Sequence, residues 1–269
     1  LYETNFHVMP PSSPPSIWRQ RLEQRLGIWR SLLVYHGIPW RYWQLRRFYR
    51  PFVPKGGLAF DVGAHTGSRL SAFLDLGARV VAVEPQPELV AMLQRRFGQH
   101  AQVSFWVGAL GRSQGEATLM SSPRTPTVAT LSTDFVDRAG ASEAFRDVRW
   151  EPGPSVQVTT LDALISAHGI PDFVKIDVEG FELEVLLGLN QPLPALSFEF
   201  VPAVRDVALA CIDRLENLAG PGRYRYAVSL GEQLRLLQPQ GIEAADLRLW
   251  LSHLPVKGPS GDIHAWLPR

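Results

Sequence analysis

LAFDVGAHTGSRLSAFLDLGARVVAVEP, residues 58–85, reads in order as a short apolar run, a glycine turn, an amphipathic helix, a second apolar run and a carboxylate. Apolar runs too short for helices, alternating with longer amphipathic stretches, are the signature of a parallel sheet wrapped by helices. Gly63 and Gly67 permit a tight strand-to-helix turn without a Cβ, so that the backbone can approach a ligand. The exposed N–H groups that open the new helix favour an anionic group there. Glu84, ending the second run, is placed to accept two hydrogen bonds from a ribose diol, each worth about 1.5–3 kcal/mol for a charged acceptor.

The glycine spacing discriminates among nucleosides. Dinucleotide turns usually read G-x-G-x-x-G, whereas here Gly63 and Gly67 stand four apart after Asp61, which favours S-adenosylmethionine over NAD. On this reading Asp61, Gly63, Ala64, His65, Thr66 and Gly67 surround the methionine part. Glu84 and Pro85 hold the ribose, Gly108, Ala109 and Leu110 border the adenine, and Asp177 lies at the edge of the same site. An isolated glycine turn would more often serve chain geometry alone; Asp61 before it and Glu84 at the next strand end reverse that balance.

Outward from this unit, strands are expected near 58–62, 80–84, 102–107, 173–177 and 196–201, and helices near 67–76, 87–97, 180–188 and 203–219. Residues 111–158, rich in Gly, Ser, Pro and Thr, should carry short strands and a flexible loop, ending in a strand over VQVTTL, 156–161. A late pair, 224–230 and 262–267, should close the sheet edge. The fold class is α/β: a Rossmann-like, doubly wound, mostly parallel sheet over residues 56–269, preceded by a helical arm.

The second informative segment, VTTLDALISAHGIPDFVKIDVEGFELEVLLGL over residues 158–189, is followed by LSFEF at 196–200. Asp177 and Glu179 fall where the fourth strand leaves the sheet, the edge at which doubly wound folds place reacting groups. FDVGAHTG, VEP, TLDAL, KIDVEGFELEVLLGL and the terminal GDIHAWLP together closely resemble the FkbM family of S-adenosylmethionine-dependent methyltransferases, in the right order over about residues 56–267. The resemblance implies a class I methyltransferase fold with a seven-stranded sheet, and typically O-methylation of a hydroxyl on a sugar, a polyketide-type metabolite or a related small molecule. The family pattern often has Asn where His65 stands.

An aliphatic hydroxyl is a poor nucleophile while protonated, and a positioned base contributes roughly 10²–10⁴-fold. The catalytic candidates are Asp177 first, then Glu179, with Glu199 and His65 behind them. The bland alternative has Asp177 fixing the loop and Glu179 capping the helix that begins near Gly180. Two carboxylates two residues apart also suit a divalent metal, but no third ligand is visible in the sequence and no metal is expected. Lys175, on an otherwise apolar strand, should be paired with a neighbouring carboxylate.

Residues 1–15 contain PPSSPP and read as a flexible leader; 16–55 form a basic, Trp-rich arm with one helix from Ser16 to Gly37 and another from Trp40 to about Arg50. Residues 1–55 hold nine Lys/Arg against Glu3 and Glu23, yet the whole chain has a formal net charge of +1, so a wholesale polyanion partner is not implied. The arm's Trp/Leu stripe should pack on the domain, covering the acceptor pocket, with its arginines in solvent. The single cysteine, Cys211, excludes an internal disulfide and points to a reducing, cytoplasmic setting. No apolar run approaches the ~20 residues of a membrane span. Base methylation is disfavoured: no Asp/Asn-Pro-Pro-aromatic tetrapeptide is present and Cys211 does not follow a proline. The leading expectation is a small-molecule or glycan hydroxyl acceptor. An RNA methyltransferase using the basic arm, or a nucleoside-binding module without catalysis, are the competing readings.

Overall fold

A computed structural model describes residues 39–122, 129–139, 148–231 and 233–268. The expected helix over 16–37 and the leader lie outside them. The described chain runs α1 (Pro39–Tyr49), β1 (Leu58–Val62), α2 (Ser68–Asp75), β2 (Arg79–Glu84), α3 (Pro87–Phe97), β3 (Val103–Val107), β4 (Ala109–Leu110) and β5 (Gly115–Ser121). It continues through β6 (Ala129–Thr130), α4 (Thr133–Ala139), β7 (Glu151–Thr159), α5 (Leu161–His168), β8 (Phe173–Ile176), α6 (Glu182–Leu187) and β9 (Ala195–Phe200). After α7 (Arg205–Ala219) come β10 (Arg225–Leu230), α8 (Ala244–His253) and β11 (Gly261–Trp266).

Seven strands form the main sheet in the order β10-β11-β9-β8-β1-β2-β3. The pairs from β9 through β3 are parallel, and β11 enters antiparallel between β9 and β10. The expected late strand pair therefore does close an edge, with its second member on the inside. β1 and β8 are buried along their whole length, which is why they read as short apolar runs rather than alternating ones. The chain leaves β1 towards β2 and β3, then returns on the other side of β1 to make β8. That reversal opens a crevice at the carboxyl ends of β1 and β8, where such folds bind ligands.

Side chains alternate between the two faces of each strand. Leu58, Phe60 and Val62 join Val174, Ile176, Leu196 and Phe198 in one core beneath α5, α6, α7 and α8. Ala59 points the other way, into a core with Phe73, Leu93, Phe97 and Phe173 to which α1 contributes Leu45 and Tyr49. The arm's described helix is thus built into a core of the domain. Trp43 on the same helix is 60% exposed, with the Arg47 guanidinium 5.9 Å above its ring.

On the second face the apolar surface is interrupted. Strand register sets Asp61 opposite Lys175, Lys175 opposite Ser197, and Ser197 opposite His264, a polar row across four strands. Two places further along, β11 sets Asp262 opposite Glu199, and Asp177 follows the end of β8. Asp61, Lys175, Ser197 and His264 have no solvent-exposed surface.

The Gly/Ser/Pro/Thr-rich stretch folds in part as a second sheet, β4-β7-β5-β6. Two expectations change here. VQVTTL is not one strand: β7 ends at Thr159, and the Thr160 hydroxyl accepts from the Ala163 amide at 3.1 Å, capping α5. The helix expected from 180 begins at Glu182, because Glu179 and Gly180 both have positive φ, 54° and 85°.

Candidate functional site

The turn after β1 is built tightly. The amides of Gly63 and Ala64 both donate to the Val83 carbonyl at 3.0 Å, locking the turn onto β2. Gly63 has φ 80°, and a Cβ on it would lie 1.9 Å from the Asp177 carbonyl oxygen, so only glycine lets β1 and β8 diverge this closely. His65 also has positive φ, 48°, a conformation that costs a non-glycine residue on the order of 1–3 kcal/mol and clusters at functional sites. Its amide donates to Glu84 Oε2 at 2.9 Å, while the Gln86 amide donates to Oε1 at 3.0 Å. Glu84 therefore fixes the turn, and its carboxylate retains acceptor capacity beyond these two bonds. Burial pushes its carboxyl up, while His65 and the two amides pull the other way.

Beside this turn is a small cavity that opens to solvent. Gly63, His65, Glu84, Pro85, Ala109, Leu110 and Asp177 line it, as the sequence anticipates. Asp61, Ala64, Thr66, Gly67 and Gly108 do not. Asp61 is buried behind the turn and Gly67 packs inward, where a Cβ would meet Leu93 and Phe97 at 2.7 Å. The remaining wall includes Leu119 and Thr130 from the second sheet, Leu131 just after it and Phe181 before α6. Sequence reading gave these no part, since apolar residues in a loop-rich stretch have no periodicity that would point them anywhere.

Asp177 separates this cavity from an acidic corner. Its Oδ2 lies 3.4 Å from Lys175 Nζ and 3.7 Å from an Arg69 nitrogen. Against desolvation, which works the other way, these two cations hold its carboxyl well below the usual carboxylate range. Lys175 also binds Asp262 Oδ1 at 2.8 Å. The expected ion pair is there, with a partner 87 residues distant as well as a near one. Burial opposes the charge on Lys175, but the two carboxylates more than offset it and raise its pKa.

Asp177, Glu179 and Glu199 offer one oxygen each, all within 4.8 Å of one another. Glu179 Oε2 and Glu199 Oε2 are buried without a hydrogen-bond partner among the described residues. Desolvation first, then the neighbouring carboxylates, push both carboxyls well up. Glu182, absent from the sequence candidates, accepts from the amides of Gly180 at 3.1 Å and Val178 at 3.3 Å, and burial pushes it up to about 7. Glu179 does not cap α6, whose N-terminus has no side-chain cap; Glu182 ties down the loop before the helix and Glu179 stays in the corner. His65 lines the cavity. Asp61 is raised to about 7, by burial first, with Arg69 and Lys175 opposing.

Arg69 and Asp262 were also missed. The signal for Arg69 was a basic residue in the first turn of α2, where the helix dipole disfavours it and where no acidic residue stands. Asp262 left no local signal, since its role depends on which strand lies beside β9.

A family model described as the methyltransferase FkbM domain matches residues 61–201, more than half of the chain. None of the curated proteins compared with it matches. Among solved structures, the chain is similar to a precorrin-6y C5,15-methyltransferase from Geobacter metallireducens (14% identity, 85% of this chain and 87% of that one, TM-score 0.41). It is also similar to an O-methyltransferase from Bacillus cereus in complex with SAH (12% identity, 96% and 94%, TM-score 0.41). A third is Aeropyrum pernix fibrillarin with S-adenosyl-L-methionine (11% identity, 80% and 68%, TM-score 0.38). At these scores the likenesses carry no argument about reaction or substrate. No helix among the described residues is long and apolar enough to cross a membrane. From the match over residues 61–201 and the class I arrangement of its seven-stranded sheet, the chain belongs to the FkbM family of S-adenosylmethionine-dependent methyltransferases.

Proposed function

We propose that this methyltransferase acts on a hydroxyl oxygen of a small molecule or sugar. The observation that carries the reading is the meeting of the cavity and the acidic corner at Asp177, with unshared carboxylate oxygens of Glu179 and Glu199 beside it. The residues of the cavity fit S-adenosylmethionine: Val62, Val83, Leu110 and Phe181 give apolar walls, and Glu84 and Asp177 give acceptor-only groups suited to a ribose diol and an ammonium. When bound, that cofactor supplies a methyl group already electrophilic on a positive sulfonium.

The chain then has to hold the acceptor and take its proton. Orientation of the acceptor oxygen contributes on the order of 7–11 kcal/mol when the geometry is right. Asp177, held ionised by Lys175 and Arg69, is a weak base and better suited to positioning. The proton of the hydroxyl is taken by a carboxylate oxygen of Glu179 or Glu199, whose raised affinity for protons is nearer what a base at neutral pH requires. His65, on the cavity wall, belongs to the cofactor side in this scheme. The single buried cysteine, Cys211, supports a reducing, cytoplasmic setting.

The test is methyl transfer from labelled S-adenosylmethionine to a panel of sugars and hydroxylated metabolites, beside calorimetry with S-adenosylmethionine and NAD. The expected result is binding of the first cofactor only, with label on oxygen. Label on nitrogen or carbon, or cofactor binding with no transfer to any acceptor, overturns the proposal. Label in RNA, lost steeply with salt, would do so too and would direct attention to the exposed Trp43 face of α1.

A further inference from the structure

We infer that Asp177, Glu179 and Glu199 form a binding site for one divalent cation of the hard-oxygen class, Mg²⁺, Mn²⁺ or Ca²⁺, at the acceptor side of the cofactor cavity. The sequence offered Asp177 and Glu179, two residues apart, and no third ligand. The sheet supplies the third, because β9 runs parallel beside β8 and carries Glu199 to the level of Asp177.

The geometry suits an ion. The three oxygens lie within 4.8 Å of one another. Opposite ligands of a Ca²⁺ stand about 4.6–5.2 Å apart and those of a Mg²⁺ about 4.0–4.2 Å, twice their respective bond lengths, so a small inward shift accommodates either. The donor set, carboxylates with no sulfur or imidazole, selects for this class.

A cluster of acids alone would be weak ground. The independent observation is that Glu179 is only 8% exposed and that its Oε2 is buried with no hydrogen-bond partner, as is Glu199 Oε2. Two nearby buried carboxylates are provided for, Glu84 and Glu182, which each accept two backbone amides, whereas Asp61 behind the turn is not. The local charge points the same way. Among the described residues, Asp177, Glu179, Glu182, Glu199 and Asp262 gather round two cations, Lys175 and Arg69, with His65 also acting on Asp177. Lys175 and Arg69 lie against Asp177, and at Glu179 and Glu199 the pull of Lys175 is outweighed by the neighbouring carboxylates.

What the ion does rests on the methyl-transfer reading. Held by one oxygen from each carboxylate, it has coordination positions left for the acceptor. An acceptor with two adjacent oxygens, such as a vicinal diol, would chelate it, which fixes the reacting oxygen and makes its hydroxyl more acidic. The hydroxyl proton then passes to the second oxygen of Glu179 or Glu199. The inference therefore narrows the substrate class to chelating hydroxyl acceptors.

The experiment titrates Mn²⁺ into the full chain without cofactor, read by calorimetry and by electron paramagnetic resonance. The expected result is one saturable site per chain, weakened about 10–100-fold or more in Glu179→Gln and in Glu199→Gln, and unchanged in Glu88→Gln, an exposed acid on α3. Absence of binding, or binding that the two corner variants leave unaltered, overturns the site. Should a corner variant not fold, the wild type decides: Mn²⁺ must raise its melting temperature saturably, EDTA must reverse the rise, and no rise overturns the site. Methyl transfer without Mn²⁺ binding removes the site and leaves the reaction standing; Mn²⁺ binding without transfer does the reverse.

Discussion

The two sides of the crevice treat their carboxylates in opposite ways. Beside the glycine turn, Glu84 is tied to the amides of His65 and Gln86, so its buried charge is supported before any ligand arrives. Across Asp177, Glu179 and Glu199 keep buried oxygens that nothing satisfies. A buried unsatisfied polar group costs about 1–3 kcal/mol, more if charged, and persists in a native fold only where something else gains from it. Glu84 is thus already provided for, whereas the two corner glutamates are groups that a partner would satisfy.

The largest expected effect abolishes the difference by collapsing both sides. Gly63→Ala puts a Cβ against the Asp177 carbonyl at a φ of 80°, so β1 and β8 must separate. We expect a loss of about 3–5 kcal/mol in urea unfolding and of measurable cofactor binding. A stable, cofactor-binding variant would show that the junction is softer than drawn.

A second test concerns the polar row that continues from the corner. His264 is fully buried, with Ser229 Oγ 3.1 Å from its Nε2, Phe48 and Phe52 against its ring, and Asp262 and Lys175 as its charged neighbours. Burial lowers its pKa from 6.5 to about 4. Between those values the unfolded chain binds the proton and the folded one does not. The histidine's contribution is complete above pH 6.5 and is lost as pH falls towards 4, to an extent of about 3 kcal/mol. His264→Gln should flatten that segment of the stability curve relative to wild type, whatever its absolute stability. Parallel curves would remove the assignment.

The smallest effect sharpens the contrast most. Glu84→Gln turns an amide group towards two backbone N–H donors that need acceptors and should cost about 1–3 kcal/mol. Glu179→Gln, measured in EDTA, relieves repulsion among carboxylates without stranding a donor, so stability should be unchanged or higher by up to about 1 kcal/mol. Equal losses in thermal or urea unfolding would erase the distinction between the two sides.

Much of this fold was legible because its determinants are local. β1, β2, β8 and β9 stand within two residues of where apolar runs place them, and Glu84 and Asp177 fall at the cavity because strand ends in this topology converge there. α5 was not anticipated, since VQVTTL looks extended until Thr160 is recognised as a cap for Ala163. α4 and α8, short helices near loop-rich sequence, were not anticipated. The corner was only half legible. Asp177 and Glu179 share a motif, but Glu199 is chosen by strand order, and Asp262 by a strand that enters antiparallel. Glu182 was passed over because an acid at the start of a helix ordinarily serves the helix, whereas this one serves the loop before it.

The placement of β11 between β9 and β10 has a consequence for how the protein is made. A nascent chain that has emerged only as far as β9 already holds the cofactor turn, the corner carboxylates and Lys175, but β9 has an open edge and Lys175 has no Asp262. Only when residues 261–266 leave the ribosome can that edge be paired and the lysine fully neutralised. The proposed centre is therefore complete only once β11 has been made, and until then the half-made sheet offers an unpaired strand to any neighbouring chain.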